Sequence, residues 1–541
     1  MQLSRAKHPS LAGHPRIALR LARLVPRYEY TLDEAFGVDG APADVAGRRG
    51  DGFFRLADRL HAAAPRTLAA SRALRGAVSD VDFVNAHRVP FQFRSLVEHT
   101  LALGLVADET DGPRMRDLDG NWSYDLSGSY GVNLFGSDFY KRSIDRAVER
   151  ARQLGLVLGP YHPVVAENVE RLRAISGLDE VSFHMSGTEA VMLAARLARY
   201  HTGRSHVVRF AGAYHGWWDG VQAGPGNPRP SHEMYTLAEM SERTLSVLRA
   251  RHDVACVLVN ASQAMHPNAS PPADGSLVAG ERRLRYDKQA YADWLRRLRD
   301  VCTARGIVLI IDDVFLGFRV ARGGTQEYFG VRGDLVTYGK SVGGGLPVGV
   351  LCGGHALMRR FREERAADIC FARGTFNAHP YVMTAMNELL RHLDDAATRD
   401  TWVDIDARWT GRATAINERL AAADVPVRLA NMASVWSVCY PDAGRYHWMY
   451  QFYLRAAGIR TSWIGTGRLI LSHDLAPSDL REISDRMVAA AQTMRDDGWW
   501  LRNPSLDGRG IKRQILRESV RALSPARERG SSDRSTLPRE A

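Results

Sequence analysis

The chain has 541 residues, 45% of them hydrophobic and 25% charged, with a formal net charge of +11. Such a length supplies a large core and two or more domains at ~150 residues each. No apolar run approaches the ~20 residues of a membrane span, and arginines interrupt the N-terminus where a leader needs an apolar stretch, so a cytoplasmic protein without a membrane partner is expected.

Residues 1–83 read as a basic helical N-terminal extension, in which Ile17 to Val25 is amphipathic at helical spacing. Packing of that stretch on the body or on a partner subunit is favoured over a membrane surface. Residues 84–140 read as the N-terminal part of a small domain that contributes to a substrate pocket, with Leu118-Asp119-Gly120-Asn121 turning into a strand at Trp122–Leu126. From 141 to 400, helical stretches alternate with the short runs Val207–Phe210, Ala255–Val259, Ile307–Ile311 and Leu335–Tyr338. That alternation predicts a large α/β domain on a mostly parallel sheet, with ligands at the carboxyl ends of its strands. Residues 401–500 read as a smaller α+β domain: a helix over Trp402–Ala422, strands at Ser434–Val438 and Arg468–Leu471, and a helix over Pro477–Asp496 with Ser478 as its N-cap. Residues 501–541 read as a basic, disordered tail. From Trp500 onward there are ten basic and five acidic residues, which is five of the eleven net charges, and no aromatics interleave them, so no nucleic-acid partner is expected. Five scattered cysteines, Cys256, Cys302, Cys352, Cys370 and Cys439, show no C-x-x-C spacing. They read as reduced thiols, and no metal site is expected.

The chemistry sits in the 141–400 segment. Asp312 closes the apolar run Ile307–Ile311, and Lys340 stands before Gly343-Gly344-Gly345 after the run Leu335–Tyr338. A buried carboxylate needs a cationic partner, and an amine beside it suits pyridoxal 5'-phosphate: Lys340 for the cofactor's aldehyde, Asp312 for its pyridine nitrogen. Ser186-Gly187-Thr188 opens the helical run Val191–Tyr200, an anion site for a phosphate that also fits a capping box through Glu189. Tyr214, in Ala213-Tyr214-His215-Gly216, is placed to stack on a cofactor ring or to pack in the core.

These residues resemble the class III pyridoxal-phosphate-dependent aminotransferases, in the branch containing glutamate-1-semialdehyde 2,1-aminomutase. The resemblance runs collinearly over roughly residues 84 to 495, through Ser186-Gly187-Thr188-Glu189-Ala190, Ala213-Tyr214-His215-Gly216, Asp312-Asp313-Val314, Gly317-Phe318-Arg319, Gly339-Lys340 and Gly374-Thr375-Phe376. It implies a fold-type I transferase, with a seven-stranded, mostly parallel sheet in the large domain and a smaller α+β C-terminal domain. It implies Lys340 as the Schiff-base lysine and Asp312 on the pyridine nitrogen. Val314 and Tyr214 with His215 would lie against the ring, and Ser186, Gly187 and Thr188 would take the phosphate. Gly374 and Thr375 would reach the phosphate of the neighbouring subunit, which makes a homodimer with shared sites.

The substrate positions depart from the aminomutase. Gln92 or Arg94 stands where it has a carboxylate-binding arginine, Tyr130 replaces a tryptophan, and the glutamate of its small domain is lost within Ile464–Arg468. Gln263 is a candidate for the cofactor's phenolic oxygen. Gln92, Arg94, Tyr130, Trp217 and Arg468 are the candidate substrate residues, for an acceptor larger or more apolar than glutamate semialdehyde. The expected reaction is ping-pong transamination between a small-molecule amino donor and a ketone or aldehyde acceptor, in a specialised biosynthetic pathway. Intramolecular amino transfer is the alternative, and a non-catalytic binding or regulatory protein on the same fold is the third reading.

Overall fold

Between Asp108 and Asp125, charged positions alternating with half-buried ones form a short antiparallel meander of β1 (Glu109–Asp111), β2 (Arg114–Arg116) and β3 (Trp122–Asp125). Asp117 closes the β2–β3 turn by accepting from the backbone N–H groups of Asp119 and Asn121 at 3.1 and 2.9 Å, as the Leu118–Asn121 turn predicts. The computed structural model describes residues 2–229, 232–269, 286–462, 467–503 and 506–523.

The central sheet has seven strands: β4 (Glu180–His184), β5 (His206–Phe210), β6 (Met234–Leu237), β7 (Val254–Val259), β8 (Val308–Asp312), β9 (Leu335–Gly339) and β10 (Gly349–Gly353). Their order is β4-β10-β9-β8-β7-β5-β6. β10 runs antiparallel to both its neighbours, and every other pair is parallel. Every residue of β7, β8 and β9 is buried, because helices such as Gly187–Thr202 and Lys288–Arg305 cover the sheet. The large domain of a fold-type I transferase, expected from alternation and resemblance, is this sheet.

Beyond it, β11 (Phe361–Arg362) and β12 (Arg365–Ile369) make an exposed hairpin. The C-terminal unit contains β13 (Arg428–Met432), β14 (Val435–Cys439), β15 (Ile459–Arg460) and β16 (Arg468–Ile470), with β13-β14-β16 antiparallel and β15 paired in parallel with β3. That last pairing ties the meander to the C-terminal unit. The helix expected from Trp402 starts at Ile405, because Asp404 takes a left-handed φ of 49°. The helix Pro477–Asp496 has the expected bounds but a different cap. Ser478 lies inside it, and Asp479 accepts from the N–H of Ala476 at 3.0 Å instead.

One expectation for the chain ends is corrected. The tail is not structureless from 501: Gly508–Leu523 is a helix, docked through Glu518, which accepts from the hydroxyls of Tyr28 and Tyr30 at 2.8 and 2.6 Å. The stretch 524–541 lies outside the described residues. At the other end, Pro15–Ala22 is the amphipathic helix; its Arg16 meets His232 at 3.2 Å, while Ile17, Leu21, Leu24 and Val25 are exposed in the single chain. Residues 43–71 of the extension are packed. Helix Ala43–Ala63 buries Phe53, Leu56 and Leu60, and its buried Arg49 forks onto both oxygens of Asp39 at 2.8 Å. All five cysteines are buried and free of disulfides. No described helix is long and apolar enough to cross a membrane, and no His/Cys/Asp/Glu cluster among the described residues could hold a metal ion.

Candidate active site

The carboxyl ends of β4, β5, β7, β8 and β9 open onto one cavity of about 430 Å³. Asp312, the last residue of β8, is buried there with its carboxylate fully engaged on one side: Oδ2 lies 2.7 Å from His215 Nδ1, while Oδ1 accepts from the Val314 N–H at 3.2 Å and the Thr337 hydroxyl at 3.4 Å. A strand end is where a charge can be buried and still meet backbone donors, and the partner His215 comes from the loop after β5.

Lys340 follows β9 with a φ of 48°, in the left-handed region that a non-glycine residue avoids. Its Nζ lies 5.7 Å from the centre of the Phe315 ring, and the Arg468 guanidinium lies 5.2 Å from the same ring. Burial lowers the Lys340 pKa from its ordinary value; Asp312 opposes this and Arg468 adds to it. The result is an amine held towards its neutral, nucleophilic form.

Helix Gly187–Thr202 starts against the same cavity. Ser186 caps it, its hydroxyl accepting from the Glu189 N–H at 3.3 Å, and Glu189 reaches back to the Met185 N–H at 2.9 Å. The cap leaves donors over: as first helical residues, Gly187 and Thr188 have no intrahelical acceptor for their N–H groups, while Glu189 reaches past Ser186 to Met185 and so does not close a capping box. The approach is close. A Cβ on Gly187 would stand 2.5 Å from Val314 Cγ1, and one on Gly216 would stand 2.5 Å from Thr188 Oγ1.

Ser186, Gly187, Thr188, Tyr214, His215, Asp312, Val314 and Lys340 all line this cavity. Gly374 and Thr375 do not, and both are exposed. Gln92 is buried elsewhere, its Nε2 donating to the Tyr28 hydroxyl at 3.2 Å, and neither Arg94 nor the exposed Trp217 lines the cavity. Tyr130 adjoins the lining residue Val132 in a strained loop, with φ 57°. Of the Ile464–Arg468 segment, 464–466 lie outside the described residues. Gln263 is tied to the Gly212 carbonyl at 3.1 Å and is not in the lining; Asn260, which donates to the Tyr214 carbonyl at 2.9 Å, is. Asn260 and Phe315 were missed in the sequence, although both follow strand ends (β7 and β8), which is the signal that finds Tyr214 and Lys340.

These residues fit pyridoxal phosphate. The donor set contains a desolvated amine, a buried carboxylate and a helix start with free N–H groups, and the glycine contacts leave a slot that any Cβ would fill. The Nε2 of His215 is buried without a partner among the described residues.

The sequence model of the class-III aminotransferases matches residues 96–238 and 287–435. Glutamate-1-semialdehyde 2,1-aminomutase of Flavobacterium johnsoniae is 32% identical over 352 residues, 62% of this chain and 76% of that protein. The same-named protein of Nitratidesulfovibrio vulgaris is 32% identical over 335 residues, 61% and 76% of the two chains. Among solved structures, an omega-transaminase from Sphaerobacter thermophilus is 26% identical with a TM-score of 0.61, over 72% of this chain and 91% of that one. A glutamate-1-semialdehyde aminomutase from Pseudomonas aeruginosa, 18% identical, shares the fold with a TM-score of 0.66, over 83% and 99%.

Proposed function

Since this chain belongs to the class-III aminotransferases, pyridoxal-phosphate-dependent enzymes of amino transfer, we propose that it moves an amino group between two separate small molecules, a donor and a ketone or aldehyde acceptor, in ping-pong order. The observation that carries the choice of two substrates over one is that neither Gln92 nor Arg94 lines the cavity. Those are the positions where the aminomutase resemblance would anchor the carboxylate of a single semialdehyde. Apolar side chains, Val132, Phe315 and Leu346 among them, occupy the lining instead.

When bound, pyridoxal phosphate supplies an electron sink for the carbanion at the substrate's Cα and a carrier for the amino group. Asp312 would hold the pyridine nitrogen protonated, and His215, bonded to its Oδ2, fixes that carboxylate's direction. Ser186, Gly187 and Thr188 would take the phosphate and Val314 the ring face. Lys340 would hold the cofactor's aldehyde and would move the proton at the substrate's Cα, a task that an amine with a pKa lowered by burial suits.

The exposed Gly374 and Thr375 adjoin exposed Phe371 and Phe376, and we assign this surface to a homodimer in which each chain completes its partner's phosphate site. Five scattered cysteines with no C-x-x-C spacing suit a reducing, cytoplasmic setting.

The deciding experiment supplies a donor amine with and without a carbonyl acceptor. Turnover beyond one enzyme equivalent should need the acceptor, and Lys340→Ala should abolish it. The second reading, intramolecular transfer, rests on the names of the curated relatives. Multiple turnovers of a lone amino-aldehyde substrate, with no separate donor or acceptor, would establish it and overturn ours.

A further inference from the structure

A second cavity of about 430 Å³ lies between the N-terminal helices and the β1-β2-β3-β15 sheet, and it shares no lining residue with the first. Arg59, Leu60 and Leu68 come from helices Ala43–Ala63 and Pro65–Ala73, Arg455 from helix Tyr450–Ala456, and Arg486 from helix Pro477–Asp496. All five fall outside the segments that the class-III model matches, so most of this wall is independent of the family's catalytic frame.

The charges in it do not balance. The Arg455 guanidinium makes one hydrogen bond, to the Gly104 carbonyl at 3.0 Å, and has no ion-pair partner among the described residues. Arg59, exposed at the rim, spends one Nη2 on the Ala456 carbonyl at 3.0 Å. Only Arg486 has its own carboxylate, Glu482. The one acid in the wall, Asp117, is occupied by the Asp119 and Asn121 N–H groups of its own turn. Behind the half-buried Arg455 stand two buried arginines, Arg460 and Arg88, and the Nε and Nη2 of Arg460 are buried without a partner among the described residues. Burial first, then the charges of Arg460 and Arg88, push the Arg455 pKa down to about 9, against a weaker pull from Asp117. A guanidinium desolvated as far as that of Arg455 is costly without a counter-charge. Opposite them, Leu60, Leu68 and Leu103 give the cavity an apolar side, and its volume lies in the ordinary range for small-molecule pockets.

We propose that this cavity is a binding site for a small organic anion, whose carboxylate pairs with Arg455 and Arg59 while its apolar body lies against Leu60, Leu68 and Leu103. Its occupant would bridge the N-terminal extension and the C-terminal unit, which otherwise meet here across unbalanced charge. The proposal does not depend on which amino-transfer reaction the first cavity performs.

The test is calorimetric titration of the pyridoxal-phosphate-loaded protein at constant ionic strength, with sodium hexanoate, 1-hexanol and inorganic phosphate as probes. Hexanoate should bind once per chain and leave the cofactor's visible absorbance unchanged. Hexanol, which lacks the charge, and phosphate, which lacks the apolar body, should each bind about tenfold more weakly or worse. Arg455→Met should weaken hexanoate to a similar degree. Leu68→Trp, which fills the apolar side and keeps every charge, should weaken it too, and it carries the test if the arginine variant does not fold. Absent or non-saturable hexanoate binding, equal affinity in either folded variant, phosphate binding as tight as hexanoate, or a shift of the cofactor band would each overturn the assignment.

Discussion

Lys340 combines two unfavourable states, a left-handed backbone and a buried amine, and both are affordable only because β9 and the glycines after it fix the turn. Its stability consequence follows from linkage. The folded-state pKa lies below the ordinary 10.5, so in the window below 10.5 the unfolded chain holds a proton that the folded cofactor-free chain binds less well. Lys340 therefore costs stability as pH falls through that window, and the cost vanishes above it. Cofactor-free Lys340→Met should melt higher than cofactor-free wild type at pH 7, with the gap closing as pH approaches 10.5. Paired calorimetric melts at pH 7, 9 and 10.5 check this; a gap that does not change with pH would show that the amine is not desolvated. The place of this lysine in the cavity was legible because a buried strand followed by glycines constrains it locally. The His215–Asp312 bond was not, since it joins residues 97 positions apart through the order of strands, which local pattern does not encode.

At the scale of elements, the start of helix Gly187–Thr202 is the most tightly specified piece of the site. The φ of Gly187 is not positive, so its requirement is space: Val314 Cγ1 and Cγ2 would lie 2.5 and 2.8 Å from an added Cβ. Gly187→Ala must push the helix start away from the β8 loop, at a stability cost of about 1–3 kcal/mol for overpacking. A sub-ångström displacement there would move the N–H groups that we propose hold the phosphate, so cofactor retention should fall more than melting temperature. Dialysis followed by the absorbance of retained pyridoxal phosphate measures it, and full retention would remove Gly187 from the phosphate site. Four of the seven strands of the central sheet, β5, β7, β8 and β9, were readable because burial on both faces leaves mostly apolar, β-branched residues; β4, β6 and β10 were not read, and β4 is only half-buried over its first three residues. Helix ends were less readable. Ser478 has the chemistry of an N-cap, yet Pro477 occupies the first helical position and Asp479 supplies the acceptor. Helix Gly508–Leu523 is strongly basic and buries only Ile511 and Ser519, so its composition resembles a solvated tail. What holds it is tertiary, the Glu518 carboxylate between two tyrosines nearly 500 residues away.

Across the whole molecule, Arg319 shows how the site and the C-terminal unit are joined. It leaves the loop after β8 fully buried, and its guanidinium donates to the Leu471 carbonyl at 2.7 Å and the Ser434 hydroxyl at 3.1 Å on one side, and to the Asn133 carbonyl at 2.8 Å and the Gly131 carbonyl at 3.3 Å on the other. One side chain thus fixes the strained 128–136 loop, the C-terminal unit and the segment that carries Asp312, so the wall above Lys340 cannot shift without them. What one chain leaves open is the side of Gly374 and Thr375. If each chain completes its partner's phosphate site, two inactive variants should rescue each other. Lys340→Ala removes the amine from its own cavity, and Thr375→Glu places a carboxylate against the phosphate of the partner's cavity. In a mixed dimer one cavity carries both defects and the other carries neither. Refolding the two variants together in equal amounts makes half the dimers mixed, so activity should return to about a quarter of the wild-type level. Each variant refolded alone should stay inactive. No recovery, with dimers confirmed by sedimentation, would mean that each cavity is built from a single chain and that the exposed 371–376 surface has some other use.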